Sequence, residues 1–547
     1  MSNQASAAVR KPWLLIGLAV ASVILFFVIY LMRLDRVVGL IVDDAWYVLL
    51  AKALATGQGY TLINSPSPGI HPFYAPFFPF LLSLFYRLSP NFPANLWLLK
   101  SVSIAAMFGV GWLAYYYFRR ARAVPAYTAL GIAAATVFYP ALTFLATSAV
   151  MSECVFMLLQ LAAIILVERC ISAGKTSSAL IFAALGGLLV AAAFLTRPAG
   201  LGLLLGGGIY LLKEKLPRAL LVFAAVVAVL VGPWIIYARK HVSTPGQRAE
   251  QRANIVQPYT TQFWQRVAGQ PLQGTITLDD LPERIWNNLS EISRYDMGAV
   301  AFYFLFRPLE PGEPIRIGQE GRFISLFLAA LAFFGFVTAV RRRWTLAEFV
   351  TPLALAVSVL WGWEQFRLLL PQLPFLLYYL LMGTKGLAAI YQKLFEKAAE
   401  ARQWIPATAL IWLIVVLNLY SNNQFIQRLT DPSPSYQLKW LRAFDENEGL
   451  IKYVGENVPK DAVVATQNPA LLHLYTGHKT VSSDDPAGAW EGWKKIGVRY
   501  LARTSPYRLE NPDASEAKFK TIYRSGGFLN LRVLDLGEPA TRPNWKN

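Results

Sequence analysis

About eleven stretches of this 547-residue chain are apolar over roughly the length that a bilayer demands, and that feature constrains the fold more than any other. A helix crosses a hydrocarbon layer of about 30 Å with about 20 mostly apolar residues, satisfying its own backbone hydrogen bonds as it goes. The stretches run roughly over residues 12–32, 95–118, 124–140, 150–168, 178–195, 198–213, 218–237, 323–340, 345–362, 367–384 and 404–421. A further apolar segment, 73–88, reads as lying in the interface. Composition agrees: 55% of residues are hydrophobic and 15% charged, with a mean hydropathy of +0.39, where a soluble protein carries about 25% charged residues. The first stretch follows Arg10 and Lys11, lacks a small-residue cleavage site and ends in Met32-Arg33, which predicts an uncleaved span.

Lys and Arg number 51 against 33 Asp and Glu, a net charge of +18. The basic residues stand in short clusters between apolar runs rather than on one polar face, which excludes nucleic acid as partner. Those clusters set the orientation, because short cytoplasmic loops are enriched in Lys and Arg. With the N terminus inside, the inside loops carry Arg119, Arg120 and Arg122; Arg169 and Lys175; Lys213, Lys215 and Arg218; Arg341, Arg342 and Arg343; and Lys385, Lys393, Lys397 and Arg402. Counting 73–88 as a span would invert every later loop and place these clusters outside. Three longer pieces then fall outside: 33–94, 238–322 and the tail 422–547. Strand-like Ala462–Thr466 and Phe528–Leu534 with helix-like Asp445–Glu456 mark the tail as a small α/β domain. Cys154 and Cys170 lie 16 residues apart on one predicted helix, roughly 24 Å at 1.5 Å per residue, which rules out a disulfide scaffold. Asn288-Leu289-Ser290 matches a glycosylation sequon too short to carry weight.

The chemistry gathers at one face. Val42-Asp43-Asp44-Ala45-Trp46-Tyr47 opens a helix about ten residues after the first span, closed by Gly57 and Gly59. A carboxylate there is kept ionised by the helix N-terminus, although an ordinary N-cap would read the same way. Glu153 falls at the outer end of the fourth span, Arg197 at the outer turn between the fifth and sixth, and Glu364 and Arg367 at the outer start of the tenth. Charges beside apolar runs are costly enough to suggest function, with snorkelling anchors as the bland alternative. Together they suggest a site for an anionic, lipid-attached substrate. His71, in Gly-Ile-His-Pro, reads more readily as a hydrogen-bonding group than as a metal ligand, and His473 and His478 lack a third ligand.

Taken in order, Asp43-Asp44-Ala45-Trp46-Tyr47, His71-Pro72, Glu153, Thr196-Arg197-Pro198 and Phe366-Arg367-Leu-Leu-Leu-Pro-Gln-Leu-Pro resemble the GT-C membrane glycosyltransferases. The branch they resemble includes the protein O-mannosyltransferases and the aminoarabinose transferase of lipid A. The resemblance implies a polytopic α-helical membrane domain over 1–421 with an extracytoplasmic α/β domain over 422–547. It implies transfer of a sugar from a polyprenyl-phosphate donor to a lipid, glycan or protein acceptor on the outer face of a bacterial cytoplasmic membrane. Asp43 matches the candidate catalytic base, Asp44 a second acidic position that is commonly Glu, and Glu153 an acidic residue nearing the same cavity. Arg197 and Arg367 match positions near the carrier phosphate; Tyr47, His71 and Glu364 complete the expected cavity. Trp46 stands where a basic residue is frequent. The residues leave a divalent metal ion open as cofactor. A transporter, a non-catalytic binder of lipid-linked sugars, an oligosaccharide ligase and a glycan polymerase are the competing readings.

Overall fold

The structure, a computed structural model, describes residues 12–41, 43–174, 176–251, 253–268, 270, 273–308, 317–394, 403–431, 433, 436–483, 492–493, 495–509, 516 and 519–537. Lys175, Lys397 and Arg402 of the predicted basic loops, with Arg10 and Lys11, lie outside the described residues. All eleven predicted stretches are helical in the main. Among the described residues, eight helices are long and apolar enough to cross a membrane. In chain order the first ten helices are α1 (Pro12–Arg33), α2 (Asp43–Ala55), α3 (Phe77–Leu88), α4 (Leu96–Tyr116), α5 (Ala126–Val137), α6 (Pro140–Thr147), α7 (Glu153–Ala173), α8 (Ser177–Thr196), α9 (Leu201–Lys213) and α10 (Pro217–Lys240). The short helices α11 (Pro245–Glu250), α12 (Ala253–Val256) and α13 (Tyr259–Phe263) follow, then α14 (Leu281–Glu291) and α15 (Met297–Phe306). The membrane bundle closes with α16 (Glu320–Arg342), α17 (Ala347–Leu360), α18 (Gln365–Leu369), α19 (Leu373–Leu394) and α20 (Trp404–Thr430).

Three predicted spans depart from a single long helix. The stretch predicted over 124–140 is the pair α5 and α6, bent by 49°, because Pro140 has no N–H to continue the ladder and opens a new helix instead. The stretches predicted over 198–213 and 345–362 form the shorter α9 and α17, which pack on each other. Segment 73–88 yields α3, only 12 residues, with Phe80, Leu84 and Leu88 exposed along one face and Phe78, Leu82 and Tyr86 buried on the other. That is the pattern of a helix lying in an interface. On α1, Trp13, Ile16, Val20, Ile24, Phe27 and Leu31 face outward at helical spacing, while Phe26, Ile29, Tyr30 and Arg33 are buried. In a bilayer the outward row is the lipid face.

The bundle is centred on α19, almost every residue of which is buried from Leu373 to Gly383. It crosses α16 at backbone contact: a Cβ on Gly335 would stand 1.7 Å from the Tyr379 carbonyl oxygen, and one on Gly383 2.1 Å from that of Leu331. Small residues are what allow two apolar helices to approach so closely where lipid offers no hydrophobic drive. At the end of the bundle carrying the basic loops, Arg122 forms a bidentate pair with buried Glu348, Nη2 to Oε1 at 2.6 Å and Nη1 to Oε2 at 2.9 Å. Thr345 adds a backbone N–H to the same carboxylate at 2.9 Å, tying the α4–α5 turn to the start of α17.

Helix α20 runs through 421 to Thr430, past its predicted end, and the tail folds from there into α21 (Lys439–Asn457), α22 (Pro469–Thr476) and a five-stranded sheet. The strands are β1 (Val463–Thr466), β2 (Lys479–Ser482), β3 (Val498–Arg503), β4 (Lys520–Arg524) and β5 (Arg532–Asp535), in the order β2-β1-β3-β5-β4. β1 is parallel to β2 and β3, with α22 as the β1–β2 crossover, whereas β5 runs antiparallel to β3 and β4. The predicted strand 528–534 begins only at Arg532; Phe528 and Leu529 instead give their N–H groups to the Glu446 carboxylate of α21.

Candidate active site

The helix α2 places the first acidic residues. It opens at Asp43 and ends before Gly57 and Gly59, both at φ +76°, a left-handed conformation that costs glycine nothing. The carboxylate of Asp43 accepts from the Tyr74 hydroxyl at 2.6 Å on Oδ1 and lies 3.3 Å from Arg367 Nη1 on Oδ2. Arg367, at the start of the α18–α19 span, also holds Glu153 Oε1 through Nε at 2.5 Å. Glu153, fully buried at the first turn of α7, receives Arg197 Nη1 on the same oxygen at 2.9 Å. Arg197 Nη1 also donates to Ser152 Oγ at 3.0 Å, and the Tyr47 hydroxyl stands 3.3 Å from that oxygen. Thus Asp43, Glu153, Arg197 and Arg367, drawn from four separate segments, form one connected network.

Two carboxylates and two guanidinium groups balance, which is what makes burial at the edge of an apolar bundle tolerable. Among the described residues, neither Arg197 nor Arg367 commits Nη2 to a hydrogen bond. Both guanidinium groups line a cavity of about 400 Å³ together with Asp43, Tyr47 and Tyr74. The remaining wall is chiefly apolar, formed by Phe194, Pro198, Leu201, Val357, Trp361, Trp363 and Leu368. A second cavity of about 610 Å³ shares Arg197, Trp363, Arg367 and Leu368 with the first, but its far side is polar, with Arg266, Glu283, Asn287 and Glu291. An apolar trough and a polar chamber therefore meet at two arginines, Arg197 and Arg367, with Asp43 on the apolar side.

Other expected residues sit elsewhere. Asp44 faces away from the cavity: Oδ2 accepts the Gly39 N–H at 2.8 Å and Oδ1 the Ala45 N–H at 3.0 Å, and only 1% of the residue is exposed. Burial raises its pKa to about 6, with the two amides opposing the shift. His71 bonds the Tyr60 carbonyl at 3.1 Å and the Tyr237 hydroxyl and packs beside His241, ring centroids 4.4 Å apart, lining neither cavity. Glu364 pairs with Arg307 at 3.0 Å with its side chain 63% exposed, on the polar chamber rather than beside Asp43. Trp46 is fully buried. Among the described residues no group of three His, Cys, Asp or Glu side chains is placed to share a metal ion. Asp43 and Glu153 are joined by a cation, Arg367, whose charge a divalent ion would meet head-on, so these residues do not fit a metal between them. Tyr74, Ser152, Tyr259 and Trp361 were not singled out by sequence; Ser152 alone had a signal, as the neighbour of Glu153. Asn288 gives its amide to the carbonyls of Val359 and Trp361, at 2.8 and 2.9 Å, and fastens α14 rather than presenting a sequon.

No protein-family model and no curated protein matches the sequence. Among solved structures, the apo oligosaccharyltransferase of Archaeoglobus fulgidus aligns over 91% of this chain and 70% of its own, at 12% identity and a TM-score of 0.54. The same organism's oligosaccharyltransferase AglB, in complex with an inhibitory peptide and a dolichol-phosphate, covers 90% and 69% at 13% identity and 0.51. ArnT of Cupriavidus metallidurans bound to undecaprenyl phosphate covers 95% and 98% at 12% identity and 0.46. At such identities the likeness is one of fold: the chain shares the architecture of the Archaeoglobus fulgidus oligosaccharyltransferase structures, and this chain builds it as a polytopic helical domain followed by a small C-terminal sheet domain.

Proposed function

We propose that the protein is a membrane glycosyltransferase that moves a sugar from a polyprenyl-phosphate carrier to an acceptor on the extracytoplasmic face. The observation that carries this is the meeting of a cavity-facing carboxylate, Asp43, with two guanidinium groups at the head of a largely apolar cavity. The dolichol-phosphate held by the archaeal enzyme of the same fold supports a lipid-phosphate carrier. In the proposed step the acceptor hydroxyl oxygen attacks the anomeric carbon and passes its proton to Asp43. The bond from that carbon to the carrier phosphate oxygen breaks, and the phosphate leaves with its charge on Arg197 and Arg367. Tyr74 orients the base through its 2.6 Å hydrogen bond. Glu153 holds both arginines in register, and the prenyl chain lies along the apolar wall while the acceptor enters from the polar chamber. Residues 1–421 serve as the membrane domain and 422–547 as the extracytoplasmic domain, in a bacterial cytoplasmic membrane.

The test is Asp43→Asn in the full chain, reconstituted in lipid nanodiscs and supplied with undecaprenyl-phosphate-linked mannose, glucose, galactose or arabinose. Asn keeps the shape and loses the base, so transfer is expected to vanish while the protein still folds and still binds undecaprenyl phosphate. Transfer at the native rate overturns the assignment.

A further inference from the structure

The segment joining α1 to α2 carries the candidate base on its far end, and both domains grip it. On the membrane side, buried Lys100 donates to the Asp35 carbonyl at 2.7 Å and to its carboxylate at 3.0 Å. On the C-terminal side, Arg36 pairs with Asp445 at 2.6 Å and Glu448 at 2.8 Å of α21. The decisive grip is at Gly39. Its φ of +86° suits glycine, and a Cβ there would stand 2.6 Å from the Leu471 side chain of α22. Its carbonyl accepts the Asn468 side-chain amide, and its N–H donates to Asp44 at 2.8 Å. Asp44 is one residue from Asp43 on the first turn of α2.

We propose that Asn468 is a positioning residue for Asp43: the C-terminal domain sets the start of α2 through the path Asn468, Gly39, Asp44. This rests on the transferase reading above. Asn468 uses both ends of its side chain, since Oδ1 caps α22 by accepting the Leu471 N–H at 3.2 Å while Nδ2 reaches Gly39. Aspartate caps a helix as well as asparagine does, but it has no donor for a carbonyl. The asparagine is thus needed for Gly39 and not for its own helix. All three members of the path are buried or without room: Asn468 is 6% exposed and Asp44 1%, and Gly39 is closed in by Leu471, itself 1% exposed. The Asp44 carboxylate, pushed up to about 6 by burial, depends on the Gly39 and Ala45 amides to stay ionised, so displacing Gly39 is felt at the helix start.

Asn468→Asp keeps the cap, removes the donor and sets a carboxylate oxygen against the Gly39 carbonyl; Asn468→Ser is a second, uncharged variant in case the first does not fold. In full-length protein with the undecaprenyl-phosphate sugars above, turnover should fall roughly ten- to hundredfold, the cost of displacing a reacting group by a fraction of an ångström to an ångström. The KM for the donor should not change, since Arg197 and Arg367 are on other elements, while melting should fall modestly, by the buried bond to Gly39 that is lost. Combined with Asp44→Asn, the double variant should lose no more than the worse single, because both cut one path. Native turnover in either variant, additive losses in the double, or a donor KM that rises in step with the fall in rate would each overturn the proposal. An active Asp43→Asn would sink the transferase reading itself; an inactive Asp43→Asn beside a fully active Asn468→Asp would sink only the positioning role.

Discussion

Replacing Glu153 by Gln should tighten carrier binding while slowing turnover, opposite signs that follow from the charge count. Asp43 and Glu153 neutralise Arg197 and Arg367 within one network. The substitution leaves one positive charge in excess at the head of the cavity, with nearly the same shape. A carboxylate about 6 Å from a phosphate seated beyond the guanidinium groups repels it by about 3 kcal/mol at an effective dielectric near 20. The Arg197 and Arg367 side chains are 13% and 24% exposed, so screening reduces this to roughly 1.5 kcal/mol, about tenfold in Kd. Binding of undecaprenyl phosphate to nanodisc-embedded protein, followed by the fluorescence of cavity-lining Trp361 and Trp363, measures it. Without ligand the variant should melt lower, since Arg197 and Arg367 have lost a buried counter-ion, and added undecaprenyl phosphate should restore the difference by mass action. Unchanged or weaker binding would refute the reading that Glu153 competes with the phosphate for the two arginines.

Two further outcomes test the scaffold. His473, held by burial at about 4 against an ordinary 6.5, stays neutral in the folded C-terminal domain. The unfolded chain therefore binds more protons between those values. Stability from this residue is present above pH 6.5 and falls by about 3 kcal/mol as pH drops towards 4; His473→Gln should flatten the acid slope of melting, and an unchanged slope would count against it. Gly335→Ala puts a methyl 1.7 Å from the Tyr379 carbonyl oxygen, so α16 and α19 must separate. A loss of about 1–3 kcal/mol or more is expected, read as a lower melting temperature in detergent, and native melting would contradict the backbone-contact crossing.

How much of this was legible beforehand depends on the range of the forces involved. The membrane helices were readable because each is a local requirement: a run of apolar residues long enough for the bilayer satisfies its backbone alone. Asp43 at the start of a helix, and Glu153, Arg197 and Arg367 at one end of the bundle, followed from the same count of spans. The bend at Pro140 and the shortness of α9 and α17 did not, since length in the membrane is settled by what packs alongside. Which acidic residue faces the cavity was likewise hidden. Asp43 and Asp44 are neighbours of one type, and only the turn at Gly39, pinned from a domain 429 residues away in sequence, directs one carboxylate to the arginines and the other to backbone amides. His71 stands in a suggestive motif, yet Tyr237 of α10 and His241 just past its end draw it out of the site. The sequence by itself determined the class of chain, its spans and the inventory of charges, because hydrophobicity acts segment by segment. Only the tertiary structure decided which charges meet, because an ion pair between residues 43 and 367 is a property of helix packing that no local pattern encodes.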